Sequence, residues 1–312
     1  MALNVVVTGG AGFIGANLVR TLVEDPTIGR VVVVDDLSTG IRSNLDSVDA
    51  DLLVGSILDP DLLDRAISGA DAVVHLAAVP SVPRSVADPL TSHAANATGT
   101  LEVLQAVRRA GGPQLVLASS SSVYGANPTL PKTENLRLAP MSPYAVSKQA
   151  AEAYALAFAQ CYGLDVLPFR FFNVFGPLQA AGHAYAAVVP TFLDAVLAGH
   201  PVPVHGDGEQ TRDFTYVGTV TAVLADAVAR RVSSPEAVNL AYGTRTSLND
   251  LLQRIEVVLG SPVTREDLPT RAGDVRHSQA ANERLRALFP DIEPVSLDEG
   301  LAATLAWFRS GA

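Results

Sequence analysis

Val5-Val6-Val7-Thr8-Gly9-Gly10-Ala11-Gly12-Phe13-Ile14-Gly15 carries an apolar run of strand type straight into a glycine turn and then into a helical pattern. A nucleotide-binding strand-turn-helix unit needs glycines at this spacing. Gly9 allows the tight turn, Gly12 the close approach of a pyrophosphate, and Gly15 the close contact of helix and strand. The helix that starts there offers unpaired N–H groups and the positive end of its dipole to an anion. A glycine pattern alone is weak evidence, since ordinary sheet-to-helix turns also use glycine. Here the next apolar run, 31–34, ends at Asp35, twenty residues after Gly15. A carboxylate at that place accepts hydrogen bonds from the adenosine ribose hydroxyls. It would repel a ribose phosphate, and no arginine immediately follows, so the cofactor reading is NAD rather than NADP.

Further apolar runs at 52–54, 72–74, 115–117 and 166–167 alternate with helical patterns. Short continuous apolar strands separated by helices give a parallel sheet covered on both faces. The expected fold class is α/β, a Rossmann-type doubly wound parallel sheet with a smaller C-terminal substrate lobe. Helices are expected at about 12–24, 91–110 and 143–162, where apolar residues recur at three and four. The latter two have alanine-rich faces, which fit either a four-helix bundle across a two-fold axis or the chain's own sheet. Beyond Gly176-Pro177 the alternation breaks down, with prolines at 190, 201 and 203 and glycines at 199, 206 and 208. The expected division is an NAD-binding domain at 1–172, with a return segment near 214–242, and a mainly substrate-binding lobe at 173–312.

Composition removes several classes of function. The chain has 312 residues and a net charge of −10, which argues against nucleic acid, because a phosphate-binding surface needs a basic field. The charge-free run 171–193 is broken by Gly176, Pro177, Gly182 and Pro190 and is a poor membrane span. Met1-Ala2-Leu3-Asn4 lacks the basic start of an export signal, so a cytoplasmic location is expected. The single Cys161 excludes an internal disulfide framework and reads as a small buried hydrophobe. His75, His93 and His277 are not spaced with carboxylates as metal ligands are, and no metal is expected.

Two stretches carry chemistry. Leu117-Ala118-Ser119-Ser120-Ser121-Ser122-Val123 puts hydroxyls at the carboxyl end of a parallel strand, the edge where open sheets bind ligands. Ser142-Pro143-Tyr144-Ala145-Val146-Ser147-Lys148 puts a phenol and an ammonium four residues apart. On a helix these share a face about 6 Å apart along the axis, so the ammonium can lie under the phenol. Free tyrosine titrates near about 10, and an adjacent cation favours the phenolate, a general base. Taken singly, a serine run is a polar strand exit and a Tyr-x-x-x-Lys spacing is common on helices.

With glycine turn, serines and Tyr/Lys pair in this order, the chain resembles the extended short-chain dehydrogenase/reductase family, in particular nucleoside-diphosphate-sugar 4-epimerases, over nearly its whole length. Other family-like stretches are His75-Leu76-Ala77-Ala78, Phe171-Phe172-Asn173-Val174-Phe175-Gly176-Pro177, Gly206-Asp207-Gly208-Glu209-Gln210-Thr211-Arg212-Asp213-Phe214 and Arg271-Ala272-Gly273-Asp274-Val275-Arg276-His277-Ser278. The resemblance implies Ser120, Tyr144 and Lys148 as catalytic residues. It implies NAD contacts at Gly9, Gly12, Phe13, Ile14, Gly15, Asp35, Ile57, Ala77, Ala78 and Asn96, as well as at Tyr144 and Lys148. For a UDP-sugar it implies Ser121, Ser122, Asn173, Val188, His205, Arg212, Arg271, Asp274 and Ser278, with the two arginines clamping the diphosphate and Asp274 on a ribose hydroxyl. The implied reaction is 4-epimerisation of a UDP-hexose through a transient 4-keto sugar, by a homodimer.

Relatives that dehydrate or decarboxylate usually carry an acid soon after the motif serine, where this chain has Ser121 and Ser122. The small Ser278 leaves room for a 2-acetamido group, favouring UDP-N-acetylglucosamine alongside UDP-glucose, and Ala180 lacks the arginine of uronate-specific relatives. Ser56 replaces a usual aspartate near the adenine, and Gly218-Thr219 a common acid. The alternatives are a UDP-glucuronate 4-epimerase, a UDP-sugar decarboxylase or dehydratase, and a non-catalytic NAD-sensing protein, although the last expects erosion of the Ser, Tyr and Lys set.

Overall fold

Valine-rich runs that are buried on both faces need helices above and below them, and the chain supplies both. The computed structural model describes residues 2–181, 186–270 and 275–310. Strands β1 (Leu3–Thr8), β2 (Ile28–Asp35), β3 (Asp51–Val54), β4 (Ala72–His75), β5 (Gln114–Ser120) and β6 (Val166–Phe171) alternate with helices α1 (Phe13–Glu24), α2 (Pro60–Ile67), α3 (Val82–Ala87), α4 (Pro89–His93), α5 (Gly99–Arg109) and α6 (Pro143–Tyr162). There follow β7 (Asn173–Phe175), α7 (Val188–Leu197), β8 (Val202–His205), β9 (Thr211–Arg212), β10 (Phe214–Tyr216), α8 (Val217–Ala229), β11 (Val238–Leu240), β12 (Thr246–Ser247), α9 (Leu248–Leu259), β13 (Arg265–Leu268), α10 (Glu283–Leu288) and α11 (Leu297–Ser310).

The main sheet has seven strands in the order β11-β6-β5-β4-β1-β2-β3, all parallel. This is the expected doubly wound sheet, and its strand order reverses between β1 and β4, the place where such sheets open a crevice at their carboxyl ends. One core layer lies between the sheet and α1 with α8, around Val5, Val7, Leu18 and Val223; the opposite layer, around Val6, Val73, Leu104 and Ala155, lies under α2, α5 and α6. A third core, apart from the main sheet, gathers around Phe175, Phe192, Val204 and Leu251. The chain thus returns to the main sheet after leaving it: α8 packs beside α1, and β11 adds a strand outside β6. Among the described residues no helix is long and apolar enough to cross a membrane.

Local sequence explains most boundaries. Helix α6 begins at Pro143 behind the Ser142 cap, whose Oγ accepts from Ala145 N at 3.2 Å, and it stops at Gly163 in the left-handed conformation. The expected continuous helix over 91–110 is interrupted. α4 passes through a π-helical turn, Ala94–Thr98, before α5. The wide turn points Asn96 inward, where its amide accepts from Val79 N (2.7 Å) and donates to Val79 O (3.1 Å) and Ser147 Oγ (3.0 Å). Cys161 is also placed differently from expectation: it is exposed, not buried. Alanines stand on every side of α6, so periodicity could not separate its inner face (Ala151, Ala155, Phe158) from its outer stripe of Ala153, Ala157 and Cys161.

Candidate active site

At the end of β1 the backbone turns so tightly that side chains have no room. Gly9 has φ +74°, and a Cβ there would stand 2.6 Å from Ala77 N; a Cβ on Gly15 would stand 2.1 Å from Gly9 O. Gly12 caps α1 with no side chain on its first-turn amides, which leaves those N–H groups for an anion. Asp35 ends β2 and accepts from Ala11 N and Leu37 N, each at 2.9 Å. Burial raises its carboxyl above the usual range, against the pull of those amides. These residues open on a cleft of about 920 Å³ that also takes in Phe13, Ile14, Ile57, Ala77, Ala78, Ser120, Tyr144, Lys148 and Asn173. The residues fit NAD: bare amides for the pyrophosphate, a carboxylate for a ribose, and apolar Ile57 and Leu58 for a base, on one continuous wall. Asn96 does not line the cleft; it holds the 77–79 segment from behind, through Val79.

A buried histidine ties this wall together. Thr100 donates to Asn96 O at 2.6 Å, so its oxygen takes a proton from His75 Nε2 at 3.0 Å; His75 Nδ1 then accepts from Thr8 Oγ1 at 2.6 Å. This network assigns His75 the neutral Nε2–H tautomer. Burial, with Lys148 nearby, pushes its pKa down to about 3. His75 therefore works as a structural clip between β1, β4 and the π turn, as its unsuitability as a metal ligand suggested.

The four serines have different fates. Ser119 turns into the protein and donates to Glu152 Oε2 at 2.7 Å. Ser120 faces the cleft, capping the short 3-10 helix Ser121–Tyr124. Ser122 points back at it, N to Ser120 Oγ at 3.2 Å and Oγ to Oγ at 2.8 Å. Neither Ser121 nor Ser122 lines the cleft. Burial pushes the Tyr144 phenol above its ordinary value, while hydrogen bonding from Ser120 draws it down. Lys148 Nζ donates to Ala118 O at 2.9 Å, and burial lowers its pKa to about 8.

Behind the serines is a network that sequence reasoning missed. Arg170 of β6 pairs with Glu152 of α6 at 2.6 Å (Nη2 to Oε1) and 3.0 Å (Nε to Oε2), with side chains only 6% and 5% exposed. Its Nη1 donates to Tyr124 Oη (2.9 Å) and Glu134 O (3.0 Å), and Tyr124 donates to Asn239 Oδ1 of β11 at 2.6 Å. The available signal was an arginine inside the apolar strand Phe169-Arg170-Phe171 and a glutamate in an alanine-rich helix; each needs a partner to be buried. A second missed residue is Gln179. It lines the cleft, and its buried Oε1 has no hydrogen-bond partner among the described residues.

In the second lobe the structure brings together part of the expected sugar-diphosphate set. Asn173 lines the cleft, and its N–H donates to Asp213 O at 3.1 Å. Arg212 Nη1 donates to Thr211 O (2.9 Å) and Arg276 O (3.3 Å), and Ser278 N donates to Thr211 O at 3.1 Å. His205 is tied to Pro269 O at 2.9 Å. Val188 begins α7, and its neighbour Ala187, not Val188, reaches the cleft. Arg212, His205 and Ser278 likewise stand outside the cleft wall. Arg271 and Asp274 lie outside the described residues. Asp213 fastens this region. Its carboxylate accepts from Ala280 N, Gly243 N, Thr244 N and Thr244 Oγ1 at 2.9–3.2 Å, and burial raises its pKa to about 6.

Residues 5–241 match the model of the NAD dependent epimerase/dehydratase family. The UDP-glucose 4-epimerase of Mycolicibacterium smegmatis is 37% identical over 317 aligned residues, covering 99% of each chain. Among solved structures, a UDP-N-acetylglucosamine 4-epimerase from Methanobrevibacter ruminantium in complex with UDP-N-acetylmuramic acid superposes with a TM-score of 0.93 at 36% identity, covering 100% of this chain and 99% of that one. The UDP-glucose 4-epimerase of Thermus thermophilus in complex with NAD gives 0.88 at 33% identity, covering 99% of this chain and 100% of its own.

Proposed function

We propose, for a chain that belongs to the NAD dependent epimerase/dehydratase family, that it is an NAD-dependent UDP-sugar 4-epimerase whose chemistry is carried by Ser120, Tyr144 and Lys148. The observation behind this reading is that all three open on the same cleft as the glycine turn and Asp35. When bound, NAD supplies the reversible hydride acceptance that permits a transient 4-keto sugar. Tyr144 takes the proton of the C4 hydroxyl and later returns it. Ser120 donates to the Tyr144 oxygen, and Lys148, anchored on Ala118 O, holds positive charge beside them. Gly9, Gly12 and Gly15 admit the pyrophosphate, and Asn173, Arg212 and Ser278 belong to the nucleotide-sugar side. No carboxylate follows Ser120, since residues 121 and 122 are serines. That favours epimerisation over dehydration or decarboxylation, which need a further acid.

The sugar is proposed to be a hexose or N-acetylhexosamine, since Ser278 is small. Incubation with UDP-glucose, UDP-N-acetylglucosamine and UDP-glucuronate separately is expected to give, from the first two, a product of unchanged mass and inverted C4, with no net NADH. A product lighter by water or carbon dioxide rules the reading out.

The assembly is proposed to be a homodimer. Leu90, Val86, Val146 and Tyr154 are exposed on α3, α4 and α6, three helices packed on one another, beside the small stripe of α6. Large exposed apolar side chains gathered on packed helices in this way favour an interface. Light scattering is expected to give twice the chain mass, and the Leu90→Glu/Tyr154→Glu pair the mass of one chain; a monomeric parent protein contradicts it.

A further inference from the structure

Ser120 Oγ receives two hydrogen bonds from a single residue, Ser122: its backbone N–H at 3.2 Å and its hydroxyl at 2.8 Å. A serine hydroxyl has two lone pairs and one proton. With both lone pairs engaged, the Ser120 proton is left to be given away. Ser119 cannot compete for it, since Ser119 is turned inward onto Glu152. On the cleft side Ser120 is hydrogen-bonded with the Tyr144 phenol, which lines the same wall. The arrangement is local and stiff: Ser120 caps the single 3-10 turn that carries Ser122, so the two hydroxyls are fixed by backbone geometry.

From this geometry we propose that Ser122 is a positioning residue, one that locks Ser120 as a hydrogen-bond donor toward the Tyr144 oxygen and so favours the phenolate. The inference rests on the reading of Tyr144 as the base. A donor aimed at an oxyanion is worth more than the same donor aimed at a neutral phenol. Without Ser122, the Ser120 hydroxyl is free to rotate and accept from the phenol, which favours the protonated form. Among the described residues, the other charged groups facing the cleft are Lys148 on α6 itself, Arg84 on α3, and Asp35 and Asp36 at the end of β2. His75 of β4 sits near Lys148 and is neutral; on the β6 side of α6, Arg170 is closed on Glu152. Ser122→Ala alters none of these.

The sign follows directly. A base works only when deprotonated, so activity falls as pH drops through the tyrosine pKa, and loss of the donor moves that limb to higher pH. In Ser122→Ala, the part of the ultraviolet phenolate titration that Tyr144→Phe abolishes is expected to move up by about one pH unit. The acid limb of turnover should move with it, giving about tenfold lower rates below both limbs, with KM for the UDP-sugar within about twofold. Ser122→Thr, which keeps hydroxyl and N–H, should restore both. An unmoved titration overturns the proposal, whether accompanied by a raised KM, which would make Ser122 a plain substrate contact, or by a pH-independent rate loss. Full turnover in Tyr144→Phe removes the base itself and the proposal with it, and that outcome is distinguishable because it needs no Ser122 variant.

Discussion

Tyr144→Phe is expected to lower turnover by about a thousandfold, the size of effect that removal of a general base produces. The ring remains, so α6 keeps its packing and Lys148 its bond to Ala118 O; what is lost is one oxygen on the cleft wall. Among the described residues no other side chain is placed to replace it. Ser120 already takes both of its accepted bonds from Ser122, His75 is buried and neutral, and Ser121 and Ser122 do not line the cleft. Initial rates with the preferred UDP-sugar, beside calorimetric binding of the same sugar, separate chemistry from affinity: binding should stay within severalfold while turnover collapses. A variant keeping a tenth of the parent rate would leave the phenol without the role assigned to it.

Arg170→Met is expected to give the largest loss of stability, about 3–5 kcal/mol, because it strands the Glu152 carboxylate in the interior. Both partners are almost wholly buried. Ser119 alone would remain as a donor to that carboxylate, while Tyr124 Oη and Glu134 O would lose theirs. The double variant Arg170→Met/Glu152→Leu, in which no charge is stranded, should lie closer to the parent protein than the single variant does. Urea unfolding monitored by circular dichroism measures both. A single variant within about 1 kcal/mol of the parent would mean that water reaches Glu152 and that the pair is no buried anchor. The network joins β5, α6, β6 and β11, so the same substitution loosens the frame on which Ser120 and Tyr144 stand.

The chain made its architecture readable where local chemistry and tertiary demand agree. Buried parallel strands must be apolar on both faces, so the valine runs were visible; Ser142, Pro143 and Gly163 bracket α6 by capping rules that act within a few residues. The glycine turn and Asp35 were visible for the same reason, since each answers a requirement of a strand end. Where one residue serves two neighbours, the pattern was silent. The π turn at Ala94–Thr98 exists to turn Asn96 toward Val79 and Ser147, partners 17 and 51 residues away. Cys161 sits on a helix with alanines on every side, so its exposure depends on which face meets the sheet. Lys148 was read against its helical neighbour, and its hydrogen bond to Ala118 O of β5, thirty residues away, left no trace in the pattern.

By itself, then, the sequence determined the parallel sheet, its order of use along the chain, the cradle for a dinucleotide and the set Ser120, Tyr144 and Lys148 as residues of one wall. Only the tertiary structure decided how those groups are wired. Ser119 goes to Glu152, Ser122 to Ser120, Lys148 to Ala118 and Asn96 to Val79. The physical reason is range: burial pattern, capping and turn geometry act over a few residues and leave a periodic trace. A hydrogen bond between side chains brought together by the fold is directional, spans tens of residues, and leaves none.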